Sequence, residues 1–116
     1  MKYDRNTTGI EGARWDRMRA SILKRDNYLD QVAKRYGKRI EAQQVHHIFP
    51  REYFPEYIWK PWNMISVSTA THNKLHDRDG HKLTTAGWEL LSRTARKQGI
   101  NISEDLRKAI CDGANK

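Results

Sequence analysis

The apolar positions of this chain first recur at helical spacing. In residues 13–25, A-R-W-D-R-M-R-A-S-I-L-K-R, Trp15, Met18 and Ile22 share one face, while Arg14, Arg17 and Arg25 point elsewhere. Thr8-x-x-Glu11 has the form of a capping box and would start the helix earlier. Residues 28–36 carry Tyr28, Leu29, Val32, Ala33 and Tyr36 in the same rhythm, and Gly37 offers a C-terminal stop. The period then changes. Residues 43–49, Q-Q-V-H-H-I-F, read as a strand around Val45 and Ile48. Pro50, Pro55 and Pro61 break the next stretch into a loop. Met64 to Val67 form a second short strand, and Thr69 caps a helix predicted from about Ala70 to Asp77. Asp79-Gly80 marks a turn. A helix is predicted over 85–98, with Trp88, Leu90 and Leu91 as its apolar side. A last helix follows Ser103 and carries Leu106 and Ile110. The pattern is α+β: helices before and after a central two-strand segment.

Size and composition narrow this picture. At 116 residues, without repeats or low-complexity tracts, the chain reads as one domain. Four Trp, five Tyr and two Phe are enough to anchor a core. No run of about 18 apolar residues exists, so no transmembrane helix is expected. The N-terminal M-K-Y-D-R-N-T-T-G-I lacks the apolar stretch of a secretory signal. The single cysteine, Cys111, excludes an intrachain disulfide and a Cys-rich zinc site, and reads as a small packed residue without a redox role. These features together predict a cytoplasmic protein.

Charge changes the picture most. The formal net charge is +8 and the pI about 9.8, which calls for an acidic partner, either nucleic acid or an anionic membrane surface. Residues 1–39 hold eleven Lys or Arg against five Asp or Glu, a net +6, so the basic surface belongs mainly to the N-terminal third. No helix pairs a strongly basic face with an exposed Trp-rich one, which leaves membrane binding the weakest option.

The histidines carry the chemistry. Four of the five fall in two groups, His46-His47 and His72-x-x-x-His76. The second pair is four apart on a predicted helix, a spacing that sets both imidazoles on one face within reach of one metal ion. H-N-K-L-H lacks the Glu of H-E-x-x-H, so a zinc-protease reading fails. Two ligands hold a metal poorly, and His46-His47 is the obvious source of a third. Either pair alone is commonly a surface or core feature. Their combination, with Asn63 placed between them just before an apolar strand, is much more specific.

V-H-H-I-F-P, W-N-M-I-S-V-S and T-H-N-K-L-H-D resemble the motif of HNH endonucleases, above all the small ones encoded by bacteriophages. The motif spans residues 45–77. The upstream W-D-R-M-R-A-S-I-L-K-R-D-N-Y is similar to the family's lead-in, which extends the likeness over roughly residues 12–95. The resemblance implies a ββα-metal core, at about 43–77, wrapped by flanking helices. It implies His47 as general base and His46 as first metal ligand, a place filled by Asp or His in relatives. Asn63 matches the middle residue, which hydrogen-bonds backbone in the loop and so fixes the base. His72 matches the next ligand, His or Asn in relatives. His76 matches the third ligand of members with an all-histidine site, as in colicin-type nucleases. The implied products carry 5′-phosphate and 3′-hydroxyl ends. Adjacent strand residues face opposite sides, so for His46 and His47 to serve one site the strand must twist or end there.

One departure stands out. Many HNH proteins carry two C-x-x-C pairs around a structural zinc. Here the first reads D-Q-V-A and the second S-T-A-T. No structural zinc is expected, and a helix with Tyr28, Val32 and Tyr36 as its core is expected to substitute.

The resemblance further implies one divalent ion. Three imidazoles favour Zn²⁺, Ni²⁺, Co²⁺ or Mn²⁺ over Mg²⁺, which prefers oxygen ligands. DNA is the implied partner, with phage terminase or other packaging proteins as further partners; monomer and homodimer both stay open. Arg51, close behind the His pair, and Arg78, just past His76, are candidate phosphate contacts, each against the reading of an ordinary surface arginine. Arg14 and Arg17 belong to the basic patch expected to track DNA. Residues 48–62 hold Phe49, Tyr53, Phe54, Tyr57, Trp59 and Trp62, read as a loop pinned by its own side chains in preference to a base-stacking platform. His81 reads as a surface residue, and Trp15 and Trp88 as core. The function expected is a metal-dependent DNA endonuclease that nicks or cuts both strands. The alternative is a DNA-binding module that has lost catalysis and keeps the metal for its fold. A toxin-type nuclease would need a delivery domain and an inhibitor partner, of which the sequence carries no sign.

Overall fold

The computed structural model describes residues 12–78 and 82–111, so the Thr8–Glu11 box, the Asp79-Gly80 turn and His81 lie outside the described residues. Five α-helices are described there: α1 Ala13–Arg25, α2 Gln31–Arg35, α3 Thr69–Leu75, α4 Thr85–Gln98 and α5 Glu104–Ile110. Two strands, β1 Gln44–His47 and β2 Met64–Val67, pair antiparallel with His46 opposite Ile65 and His47 opposite Met64. Single 3₁₀ turns at Pro55–Tyr57 and Pro61–Asn63 shape the connection between them. This is the expected α+β order, and no helix among the described residues is long and apolar enough to cross a membrane.

The hairpin lies between two helical layers. On one face α1 packs through Ile22 and Leu23, and the Ser66 hydroxyl donates to the Ile22 carbonyl at 3.3 Å. On the other, Ile48 and Val67 join Leu75 of α3, Leu90, Leu91 and Ala95 of α4 and Ile110 of α5 in the main core. The helices α3 and α4 approach closely at Gly87, where an added Cβ would lie 2.3 Å from the Leu75 carbonyl oxygen. The loop aromatics behave as expected: Phe49 meets Phe54, Tyr57 and Trp62 edge-on, with ring centroids 4.9–5.6 Å apart. Trp59 is the exception and turns toward α1.

The helix predicted over 28–36 is shorter than expected and its tyrosines are not core. The chain leaves α1 through Asn27 and Tyr28, both at positive φ, so a helix cannot pass through them. Asp30 then caps α2, which ends before Gly37. Tyr28 is 54% exposed and Tyr36 70%, while Val32 packs against the core. Carboxylates do the work expected of the tyrosines. Asp30 is fully buried and accepts from Ala33 N–H and Ser68 N–H, both at 2.9 Å, and from the Thr71 side chain. These are the four positions at which the resemblance expects cysteines. Beside it, Asp26 accepts from Ser66 N–H at 3.0 Å and pairs bidentately with Arg25, whose guanidinium also donates to the Met64 carbonyl at 2.8 Å.

For both carboxyls burial raises the pKa, but hydrogen bonds more than offset it: from Arg25 and Ser66 for Asp26, and from Thr71, Ala33 and Ser68 for Asp30. Both are therefore held below the usual carboxylate range. Their contribution to stability is complete above pH 3.8, the ordinary value, and is lost as pH falls through their lower folded values. Asp30→Ala strands two backbone donors, Ser68 N–H among them, at about 1–3 kcal/mol each. Urea unfolding at pH 7 is expected to show a loss of about 2–6 kcal/mol. A loss within about 0.5 kcal/mol, the usual range for surface substitutions, would refute the role given to this carboxylate.

Candidate metal centre

Three elements bring three histidines together. His46 sits in β1, 1% exposed, on the face that meets α3. His72 lies on α3. That helix is capped by Ser68, whose hydroxyl accepts from Thr71 N–H, one residue earlier than the expected Thr69. His76 is not helical: α3 ends at Leu75, and His76 is extended and pairs with Leu83. The four-residue helical spacing is thus not what joins His72 to His76. A short bridge to the segment before α4 turns His76 inward instead.

The three rings form a tight set. Centroids lie 4.9 Å apart for His46–His76 and His72–His76 and 5.4 Å for His46–His72, with interplanar angles of 69–72°. One nitrogen from each lies within 4.8 Å of the other two. His46 Nδ1 stands 3.3 Å from His76 Nε2. Two nitrogens held at ~2.0–2.1 Å from one ion at a tetrahedral angle stand about 3.3–3.4 Å apart, so this spacing suits a shared metal. His46 Nε2 is buried with no hydrogen-bond partner among the described residues. A buried imidazole that turns Nδ1 to a second imidazole, beside a third, fits a metal-binding set.

Electrostatics favour the neutral, ligating form. Burial pushes His46 well below its ordinary 6.5, and the neighbouring His76, His72 and His47 push the same way. Burial lowers His72. It also lowers His76, with His72 adding to the shift and Glu52 and Asp77 opposing it.

His47 occupies a different environment. Strand alternation holds, so its ring lies on the α1 side, stacked on Trp15 at 5.4 Å and 24°. Trp15, expected as core, is only half-buried and is a partner of this site. His47 Nε2 is 2.9 Å from the Ile58 carbonyl oxygen, which can only accept, so Nε2 carries the proton and Nδ1 the lone pair. Burial and the nearby Arg51 charge lower its pKa, with the Ile58 hydrogen bond opposing. Asn63, fully buried, accepts from Phe49 N–H at 2.7 Å and donates to the Phe49 and Tyr57 carbonyls at 3.3 and 3.2 Å. It pins the loop on the residue before Ile58.

The candidate arginines spread out. Arg14 lies over the Trp59 ring, Arg51 is half-buried beside His47, and Arg17 and Arg78 are exposed. Trp15, Trp59 and the Ile58 carbonyl were missed from sequence. The first two read as core or loop packing, and a main-chain carbonyl leaves no trace in residue identity.

A two-stranded hairpin followed by a helix, with imidazoles converging from strand and helix end, defines the ββα-metal class. The structure resembles the crystal structure of the deep-sea thermophilic bacteriophage GVE2 HNH endonuclease with manganese ion. The match has a TM-score of 0.53 and 31% sequence identity, over 55% of this chain and 70% of that one. The chain belongs to the HNH endonuclease family. No family model and no curated protein matches the sequence.

Without metal, stability is expected to be flat above about pH 7 and to fall below pH 6.5. The unfolded chain takes up protons there, while the folded imidazoles stay neutral to lower pH. Mn²⁺ or Zn²⁺ at pH 7 is expected to raise the melting temperature, by the equivalent of about 2.7 kcal/mol at a hundred times Kd. His72→Ala, at a half-exposed position, is expected to reduce that shift sharply. An undiminished shift would exclude this trio as the binding site.

Proposed function

We propose that this chain is a metal-dependent DNA endonuclease. The observation that carries the reading is the pairing of a three-imidazole set with a neutral, tautomer-fixed His47 one residue away. His46, His72 and His76 would hold one divalent ion, and an all-nitrogen set favours Mn²⁺, Zn²⁺, Ni²⁺ or Co²⁺ over Mg²⁺. The bound ion supplies Lewis-acid stabilisation of charge on the scissile phosphate and the leaving oxygen.

The protein's own part follows from His47. Its Nε2–H is committed to Ile58, so Nδ1 is the atom that accepts a proton. A lowered pKa keeps that lone pair available at pH 7. Water attacks phosphorus in line, its proton passes to Nδ1, the bond from phosphorus to the 3′ oxygen breaks, and the leaving oxygen takes a proton from solvent. The products carry a 5′-phosphate and a 3′-hydroxyl. Asn63 acts at one remove: it holds Tyr57, and with it the Ile58 carbonyl that orients the base. The charge of +8 supports a polyanionic substrate. A single site cuts one strand per binding event, so nicking is the elementary reaction. A phage origin extends the proposal on the strength of the phage neighbour; a setting in DNA packaging rests only on the sequence's resemblance to small phage HNH proteins.

The test is supercoiled-plasmid cleavage by metal-stripped protein, with Mg²⁺, Mn²⁺, Ni²⁺, Co²⁺ or Zn²⁺ restored singly. Wild type is expected to yield nicked circles. His47→Ala, still folded and still stabilised by metal, is expected to be slower by about 10²–10⁴-fold. DNA binding by both proteins, without cutting under any of the metals, would replace this reading with a non-catalytic binding module.

A further inference from the structure

Arg14 lies in the first turn of α1, with its guanidinium carbon 3.7 Å from the centroid of the Trp59 ring. Trp59 meets Trp15 edge-on, centroids 6.3 Å apart at 63°. Trp15 in turn is stacked on His47. Cation, indole, indole and imidazole therefore form one continuous array from the exposed start of α1 to the proposed base. Arg14 is exposed, and among the described residues the ion pairs are Arg25–Asp26 and Arg107–Glu104, neither of which involves it.

This mode of binding decides what Arg14 has left to offer. A guanidinium seated by its face on an indole is oriented without using its N–H groups. Those donors lie in the guanidinium plane, and a phosphate takes them two at a time. The seat also lowers the entropy that an exposed arginine loses when it binds. Arg17, on the same helix, is exposed and has no aromatic seat among the described residues.

We propose that Arg14 binds a backbone phosphate of the DNA strand presented to His47, with Trp59 as the residue that positions it. The inference rests on the nuclease reading and names one of its substrate contacts. The contact is to phosphate and not to a base, so it adds affinity and register without sequence preference.

The experiment measures binding of a fluorescent 20-base-pair duplex by anisotropy in EDTA, between 50 and 200 mM KCl, for wild type, Arg14→Ala, Arg14→Lys and Trp59→Leu. Each phosphate contact contributes about 0.9 to the slope of log K against log salt. Arg14→Ala is expected to flatten the slope by that amount. Arg14→Lys and Trp59→Leu keep the charge but lose the fork or its seat. They are expected to retain the slope and bind about 3-fold or more weakly. In plasmid cleavage Arg14→Ala is expected to raise KM and leave kcat within about 2-fold, the pattern of uniform binding. A wild-type slope in Arg14→Ala, in protein that still binds and cuts DNA, would overturn the assignment and leave the nuclease reading intact. A lowered melting temperature in that variant, with unchanged slope, would make Arg14 a brace between α1 and the loop. Wild type without salt-dependent DNA binding would remove both proposals together.

Discussion

The outer edge of β2 is the constraint on which the rest depends. A two-stranded hairpin is marginal in water, and each of its edges presents unpaired N–H and C=O groups. Here β2 gives one edge to β1 and the other to the end of α1 and the segment that joins it to α2. Met64 C=O takes Arg25, Ser66 N–H takes Asp26, and Ser68 N–H takes Asp30. These are alternate residues, as they must be, because alternate backbone groups of a strand face the same edge. Side chains thus act as a third strand. The same Asp30 fixes the start of α2 and reaches Thr71 in α3. One buried carboxylate therefore ties the end of the strand to the helix that carries His72. At the positions where the resemblance expects two C-x-x-C pairs, this chain places a negative charge among hydrogen-bond donors.

With the hairpin fixed between two layers, strand alternation distributes the chemistry. His46 must face α3 and His47 must face α1. The strand ends at His47, so the two neighbours can face opposite layers while His47 stands at the strand end. The inward one has two imidazole neighbours and no access to solvent. The other lies at the strand end, against an indole and a loop carbonyl. A proposed ligand and a proposed base are kept in separate environments by one peptide unit. Each environment suppresses protonation mainly by burial.

Much of this was legible in the sequence. The period of 3.6 over 13–25 and 85–98, the strands around Val45 and Met64–Val67, and the Ser103 start of α5 all appear where the pattern put them. What the pattern missed has common causes. Apolar spacing in 28–36 cannot register that Asn27 and Tyr28 take positive φ, between Asp26 and Asp30, which both bond the outer edge at Ser66 and Ser68. Ser68 and Thr69 are equally good caps by residue type, and the choice of Ser68 follows from its N–H being held by Asp30. His76 lies at i+4 from His72, yet its position comes from pairing with Leu83, a contact no local window contains. The trio was legible as three histidines at a spacing. Its geometry comes from long-range pairing.

The proposed centre also explains why the fold tolerates an unfavourable core. Burying His46 with an unpartnered Nε2 forgoes hydrogen bonds that water would supply, a cost of about 1–3 kcal/mol for such a group. An apolar side chain of similar size would avoid that cost. The penalty is concentrated where three imidazoles meet. A metal ion that binds only the folded arrangement stabilises it in proportion to ligand concentration. Folding of the metal-free chain is therefore supported by the Asp26 and Asp30 hydrogen bonds on the opposite edge of the hairpin, which involve none of the three histidines. Structural support and candidate chemistry occupy different residues of the same two strands. That division lets the centre keep three basic, neutral ligands whose burial would otherwise weaken a small fold.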